Sequence, residues 1–461
     1  MLPDTKYQIL NTKYKAFMLI EAMTVLFIFA LITITFYSVF SVGTRYIQDA
    51  KNRLGALAVS NERMEIVRNL AYDSIGTDHG TIHGNIPQDQ DVTENAHQYH
   101  IHTEVDYIDD PFDGIGYADT VWFEDYKRVI ITTSWSGATN TSENVQITSR
   151  FVPPGKEVQH VGDGILSVNI FSDQPGGAGI PDSKVTVVNA DTHLNTYQMT
   201  DDSGNATFMG DRVTNSIQKY QITVEKSGYE TVATMPPYPL TPLFNPIDVH
   251  ASVVTGTMNV ANIVQNKLAN IKISTVDYLD APISGATFHL SGGRKLGTNV
   301  ADPFAAVYNF DQSSTTDSGG EKLFSSISPG NYAFSLTGST LSDYVIISTT
   351  PVLPFSLLSS VGTLDAKIKL ASKTATSLLV SVFNTSSTLP IAGAKVRLTN
   401  AALSYDKELT STSDGKVFFP DSSDPFLPET YHMKITATGY SNKESDVTIT
   451  AGSLKTESVG L

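Results

Sequence analysis

Residues 12–40 read TKYKAFMLIEAMTVLFIFALITITFYSVF. From Phe17 to Phe40 the run holds 24 residues and a single charge, Glu21. At about 1.5 Å rise per residue it is long enough to cross a bilayer core of roughly 30 Å, and it predicts one membrane helix. Lys6, Lys13 and Lys15 stand just before the apolar run. Basic flanks stay cytoplasmic, so the chain after residue 45 is expected outside. The 16 residues ahead of Phe17 are polar and basic with no apolar core of their own, and they read as a detachable leader rather than a signal-peptide core. Glu21 is the odd residue, because an unpaired carboxylate at mid-bilayer costs about 2.5–3.5 kcal/mol and so needs a partner.

Outward from the apolar run, residues 45–70 keep a helical pattern. Leu54, Leu57, Ala58, Met64, Val67 and Leu70 recur at spacings of three and four, with Lys51, Arg53, Glu62, Arg63, Glu65 and Arg68 between them. That predicts one apolar stripe looking for a sheet. Gly55 within it reads as a tolerated glycine, or else a bend near the membrane surface. Residues 71–98 are rich in Gly, Asp, His and Asn without periodicity and are expected to form a long loop. Strands are expected at 99–107, 126–135 and 144–151, where β-branched and aromatic residues concentrate.

The tract Lys15-Ala16-Phe17-Met18-Leu19-Ile20-Glu21 places a small residue, then Phe, then Leu-Ile-Glu ahead of an uninterrupted apolar helix. It resembles the class III leader of type IV prepilins and pseudopilins. The resemblance implies cleavage by a prepilin peptidase at Ala16–Phe17, N-methylation of Phe17, and Glu21 as the assembly carboxylate that pairs with a neighbouring subunit's amine. Ala16 departs from the Gly usual in that family. The resemblance also implies a helix lying on a small antiparallel sheet, over residues 17 to about 152. The tracts YDSIG, DDPFDG and DYKRVIITTSW are similar to the sheet region of minor pilins.

Beyond the linker that opens at Pro153-Pro154-Gly155 the sequence repeats itself. Each unit opens on an alternating strand (165–171, 271–276, 378–383). A turn and strand follow: IPDSKVTVV from Ile180, PISGATFHL from Pro282, PIAGAKVRL from Pro390. A glycine turn then leads to a strand ending at Phe208, Phe324 or Phe419, and a tyrosine strand follows from Tyr220, Gly330 or Tyr431. Pro181, Pro282 and Pro390 lie 101 and 108 residues apart, one sandwich-sized domain per repeat. Asp-Ser-Gly and Ser-Asp-Gly supply a positive-φ residue between strands, and the aromatic that follows should point into a core. The pattern resembles carboxypeptidase regulatory-like (transthyretin-like, Ig-like) β-sandwiches. The second unit departs most, with a longer insert near Arg294–Gln312.

The expected fold is therefore mainly β with a long N-terminal α-helix, a pilin-like helix-on-sheet module followed by three tandem antiparallel sandwiches. The expected division is leader 1–16, membrane and assembly helix 17–70, sheet region 71–155, and sandwiches 164–262, 268–371 and 375–461.

Composition narrows function further. Of 461 residues, 31 are Lys or Arg and 47 Asp or Glu, a net charge of −16, which argues against nucleic acid as a partner. The absence of cysteine excludes disulfides, cysteine nucleophiles and thiolate metal sites. No Gly-x-Ser-x-Gly, His-Glu-x-x-His or Walker-type motif occurs, so an enzyme is not expected. On a strand His100, His102 and Glu104 would share a face, with His97 nearby, and read as a solvated strand edge more readily than as a zinc or copper surface. Asp106, Asp109, Asp110 and Asp113 read as a turn capped by Asp side chains in preference to a calcium loop, since the EF-hand spacing is missing. Trp122 and Trp135 read as core rather than as glycan platforms. No cofactor or metal is expected. The expected partners are the membrane, a prepilin peptidase and other pilin or pseudopilin subunits, with a surface ligand or glycan possible for the sandwiches. The functional expectation is a minor pilin or pseudopilin-like subunit at the cell surface; the alternative is a membrane-anchored adhesin outside any filament.

Overall fold

The computed structural model describes residues 19–108, 125–137, 142–154, 164–173, 177–239, 244–359, 361–422 and 425–461. The chain divides into two compact units, residues 1–159 and 160–461. It is mainly β with one long N-terminal helix.

The first unit is helix α1 (Leu19–Arg68) and an antiparallel sheet in the order β1-β2-β3-β4. The strands are β1 (Asp89–Glu94), β2 (His97–Ile108), β3 (Tyr126–Ser136) and β4 (Ser142–Phe151). Strand alternation sorts the side chains: Tyr99, Ile101, Val105 and Tyr107 of β2 and Val129, Ile131 and Trp135 of β3 are buried, at the period of two a strand imposes. β1 lies inside the tract expected to be loop. Its sequence DQDVTE has little strand propensity, and it is strand because it pairs residue for residue with β2, Asp89 opposite His102 through Glu94 opposite His97. Tertiary pairing overrides local preference here.

The second unit contains three two-sheet sandwiches. The first uses β5 (Gly164–Phe171), β6 (Lys184–Asn189), β7 (Leu194–Met199), β8 (Asn205–Gly210), β9 (Ser216–Glu225), β10 (Val232–Ala233), β11 (Phe244–Pro246), β12 (Ala251–Val253) and β13 (Met258–Val264). Its sheets run β13-β5-β8 and β10-β9-β6-β7, with β12 also on β9. The second uses β14 (Ala269–Val276), β15 (Thr287–Asn299), β16 (Ala306–Thr315), β17 (Glu321–Ile327), β18 (Gly330–Leu336), helix α2 (Gly338–Asp343), β19 (Tyr344–Thr350), β20 (Phe355–Leu357) and β21 (Thr363–Ser372). Its sheets run β17-β14-β21-β19 and β11-β15-β18-β20, with β16 on β15. The third uses β22 (Ser377–Phe383), β23 (Lys395–Asn400), β24 (Tyr405–Thr410), β25 (Lys416–Phe419), β26 (Thr430–Thr436), β27 (Lys443–Thr448) and β28 (Leu454–Gly460), in sheets β25-β22-β28 and β24-β23-β26-β27.

The repeat is visible in the chemistry of its corners. Phe208 and Phe419 are fully buried and Phe324 nearly so. Gly204, Gly320 and Gly415 before them all have φ between +73° and +81°, which a side chain would strain. Tyr220, Tyr332 and Tyr431 are fully buried, and each hydroxyl donates to a carbonyl a few residues upstream, Thr214 (2.7 Å), Ser328 (2.6 Å) and Leu427 (3.0 Å). This is the tyrosine-corner arrangement of sandwich folds.

Two features depart from the expected antiparallel repeat. Each sandwich closes with a parallel pair between its first strand and a later one: β5 with β13, β14 with β21, β22 with β28. The second is β11, which pairs with β15 of the following sandwich, Phe244 opposite Asn299. Beside that pairing, Arg294 of β15 donates to Glu230 Oε1 (3.0 Å), the Val264 carbonyl (2.8 Å) and Asp248 Oδ2 (2.8 Å). The insert that unsettles the second repeat is thus a long β15–β16 hairpin whose bulged stretch carries the joint to the first sandwich.

Candidate assembly surface

The functional candidate is α1, because its two halves meet different surroundings. At about 1.5 Å per residue its 50 residues extend roughly 75 Å. Between Ile20 and Ile47 every large apolar side chain is exposed, including Phe27, Phe29, Phe36, Tyr37 and Phe40. The helix is long and apolar enough to cross a membrane, and none of its most apolar window is buried. Threonines in this half satisfy themselves: Thr24, Thr33 and Thr35 each donate to the carbonyl four residues back at 2.8 Å. Such bonds remove the cost of a free hydroxyl in an apolar medium.

The second half lies on the sheet. Ala56, Val59, Ser60, Met64 and Val67 are buried, with Asn52, whereas Leu54 and Ile66 are exposed. Met64 and Val67 of the expected stripe are buried, but Leu54, Ala58 and Leu70 are exposed, and the stripe is completed instead by the smaller Ala56, Val59 and Ser60. The reason is close approach. A Cβ on Gly55 would sit 2.3 Å from the Tyr99 hydroxyl, and that hydroxyl donates to the Asn52 carbonyl at 3.0 Å. Gly55 is neither a bend nor merely tolerated, since it is the gap that admits Tyr99 under the helix. Tyr99 meets Trp135 edge-on at 6.2 Å, so Trp135 is core. Ser60 and Thr133 share a buried 2.7 Å hydrogen bond between helix and β3. Lys127, 2% exposed, donates to the carbonyls of Tyr72 (3.0 Å) and Ile75 (2.9 Å) and lies over the Tyr72 ring. That buried cation fastens the exit of the helix to the sheet. Sequence reading missed it, since a lysine in a strand normally signals an exposed face.

Ala16 and Phe17 lie outside the described residues, and so does the side chain of Glu21, although residue 21 is within α1. Trp122 and the loop residues Asp109, Asp110 and Asp113 also lie outside them.

On the sheet face opposite the helix, β1 and β2 bring together Asp89, Asp91, His100, His102, Glu104 and Asp106. Asp91 Oδ1 meets His100 Nδ1 (2.8 Å), while Asp89 Oδ1 meets His100 Nε2 (3.2 Å) and His102 Nδ1 (2.7 Å). The Asp91 hydrogen bond, with help from Asp89, holds the His100 imidazolium above its ordinary pKa. Burial, reinforced by the Asp106 charge and opposed by Arg128, pushes Glu104 up to about 7. His100, His102 and Glu104 share this face as expected, but β2 is an inner strand between β1 and β3 rather than a solvated edge, and the aspartates of β1 are the partners of the two histidines. Among the described residues no group of three ligating side chains is placed to hold a metal ion.

No protein-family model matches the chain, and no curated protein matches it. Solved structures with some similarity include the Bacillus anthracis TIE protein, at 15% identity over 73% of this chain and 59% of that one, with a TM-score of 0.20. The chain thus spans less than two thirds of that protein's length. A streptococcal ancillary pilin matches at 13% identity over 64% of this chain and 99% of its own, TM-score 0.18. The shaft pilin SpaA of Lactobacillus rhamnosus GG matches at 14% identity over 46% and 98%, TM-score 0.19. Scores this low carry no argument, and the architecture rests on the sheet topology itself.

Proposed function

We propose that this chain is a minor pilin or pseudopilin-like subunit of a type IV filament or type II-like secretion pseudopilus, displaying its three sandwiches at the cell surface. The observation that carries the reading is α1, uncovered and apolar all round in its first half and seated by one face on a sheet in its second. Such a half-helix needs lipid before assembly and neighbouring helices after it.

In this reading Lys6, Lys13 and Lys15 keep the leader cytoplasmic, a prepilin peptidase cuts Ala16–Phe17, and Phe17 is methylated. Glu21 then pairs with a neighbour's terminal amine inside the bundle, where an unpaired charge would be costly. Three sandwiches per subunit would crowd a lattice, which favours a low-copy or tip position. The sandwiches have a binding or display role, and catalysis is assigned to none of them.

The test is the mass of the mature N-terminus after co-expression with a prepilin peptidase. A chain beginning at N-methylated Phe17 is expected. An intact Met1 terminus, where a known prepilin is processed, overturns the filament route in favour of the membrane-anchored adhesin. Glu21→Gln should abolish recovery in sheared filaments while membrane insertion persists.

A further inference from the structure

The three sandwiches treat one edge differently. In the second, the strand parallel to the opening strand, β21, has its outer edge covered by β19, antiparallel from Tyr344 opposite Ser372 to Thr350 opposite Lys367. In the third, the equivalent strand β28 ends its sheet, and its LKTESVG places Lys455 and Glu457 on that edge, charges of the sort that deter strand addition. In the first, β13 also ends its sheet among the described residues, but MNVANIV carries no charge and no proline. Val260 is 53% exposed.

β13 is also held ready. Asn259 fastens the turn before it, accepting from the Val254 amide (2.9 Å) and donating to the carbonyls of Ile165, Val254 and Thr257 (3.0 Å each). Asn262 accepts from Asn169 of β5 at 3.0 Å. A groove of about 550 Å³ follows the strand, with residues 258–263 on one side and 247–252 on the other. Its polar groups are neutral or already paired: His250 meets Thr234 Oγ1 (3.0 Å), Ser252 accepts from the Gln218 amide (2.9 Å), and Asp248 is held by Arg294. In a chain of net charge −16, this is a neutral trough beside the middle of the strand, Val260–Asn262; at the strand's end the Val264 carbonyl already accepts from Arg294 at 2.8 Å.

We infer that the outer edge of β13 at Val260–Asn262 and its groove accept an uncharged, extended peptide strand, added antiparallel as β19 is added to β21. Backbone hydrogen bonds supply the affinity and the neutral groove selects against charged side chains. The inference is independent of the filament reading.

The test uses the full chain in detergent micelles and a labelled peptide carrying the β19 sequence YVIISTT between Gly-Ser flanks. Binding is read by fluorescence anisotropy, and amide exchange is followed at Val260 and Asn262, whose backbone faces away from β5. Saturable binding with protection of those amides is expected. Val260→Lys, which changes an outward side chain, should weaken binding at least about tenfold, roughly the effect of 1.4 kcal/mol. N-methylation of the peptide at residues equivalent to 344 and 346, or at 345, all ahead of the irregularity between Ile346 and Ser348, should abolish binding in one phase only, a signature that mere apolar docking would not give. Absence of binding, indifference to Val260→Lys with the inner amides of β13 unchanged, or equal sensitivity to both methylation phases overturns the inference. Protection that rises with protein concentration without peptide overturns it in favour of a second copy as the occupant.

Discussion

Arg294→Met tests the joint between the first two sandwiches. The guanidinium is 15% exposed and Glu230 3%. Removing the cation leaves a buried carboxylate with, among the described residues, only the Asn266 amide at 3.1 Å on Oε1. Its Oε2 already has no hydrogen-bond partner among the described residues. The Val264 carbonyl and Asp248 also lose their donor. Breaking a buried pair by deleting one member costs about 3–5 kcal/mol, most of it the stranded charge. With a urea slope of about 2 kcal/mol per molar for a domain this size, the midpoint should fall by roughly 2 M. Because the chain is multidomain, one global transition would mislead. The assay is urea-dependent hydrogen exchange resolved by peptides covering 228–266 and 287–299, with 395–436 of the third sandwich as an internal control. Arg294→Met/Glu230→Met should recover much of the loss, with a coupling energy of about 1.5 kcal/mol or more. A single-variant loss below about 0.5 kcal/mol, or a double variant equal to the sum of the singles, would refute the reasoning.

Other outcomes follow from the same kind of accounting. In the third sandwich Ser411 Oγ donates to the Ile391 carbonyl (2.7 Å) and accepts from the Ala394 amide (2.9 Å); Ser411→Ala should cost about 1–3 kcal/mol, visible as a lower denaturation midpoint for that sandwich alone. Gly55→Leu should displace Tyr99 and cost about 1–3 kcal/mol by overpacking, read as loss of near-ultraviolet dichroism from the Tyr99–Trp135 pair. The first unit should lose stability as pH rises. Folding raises the proton affinity of His100 through Asp91 and of Glu104 through burial, so the folded state holds more protons than the unfolded one. The Glu104 contribution is complete below its unfolded value near 4.5 and is lost as pH passes about 7; that of His100 is complete below about 6.5 and is lost through a higher folded value. Denaturation midpoints between pH 5 and 8 check this, and Glu104→Gln should flatten the slope.

The long apolar helix, the glycine turns, the tyrosine strands and the triplication were legible in the sequence because each is written in short-range chemistry. Twenty-four residues with one charge have no aqueous fold of their own, and a glycine between alternating runs marks a turn wherever the strands end up. What tertiary structure alone decided is everything set by a distant neighbour. β1 is a strand because β2 supplies its hydrogen bonds, although its own residues favour a loop. Gly55 matters because Tyr99, 44 residues away in the sequence, pushes its hydroxyl against the helix, and that same approach rotates the buried stripe away from Leu54. Lys127 is buried because two carbonyls from the helix exit reach it. β11 joins the next sandwich, and β19 covers an edge that among the described residues ends the sheet in its sisters, through registers that no local propensity encodes. Periodicity assigns a side chain to a face, but which strand lies beside that face depends on pairings far apart in the chain.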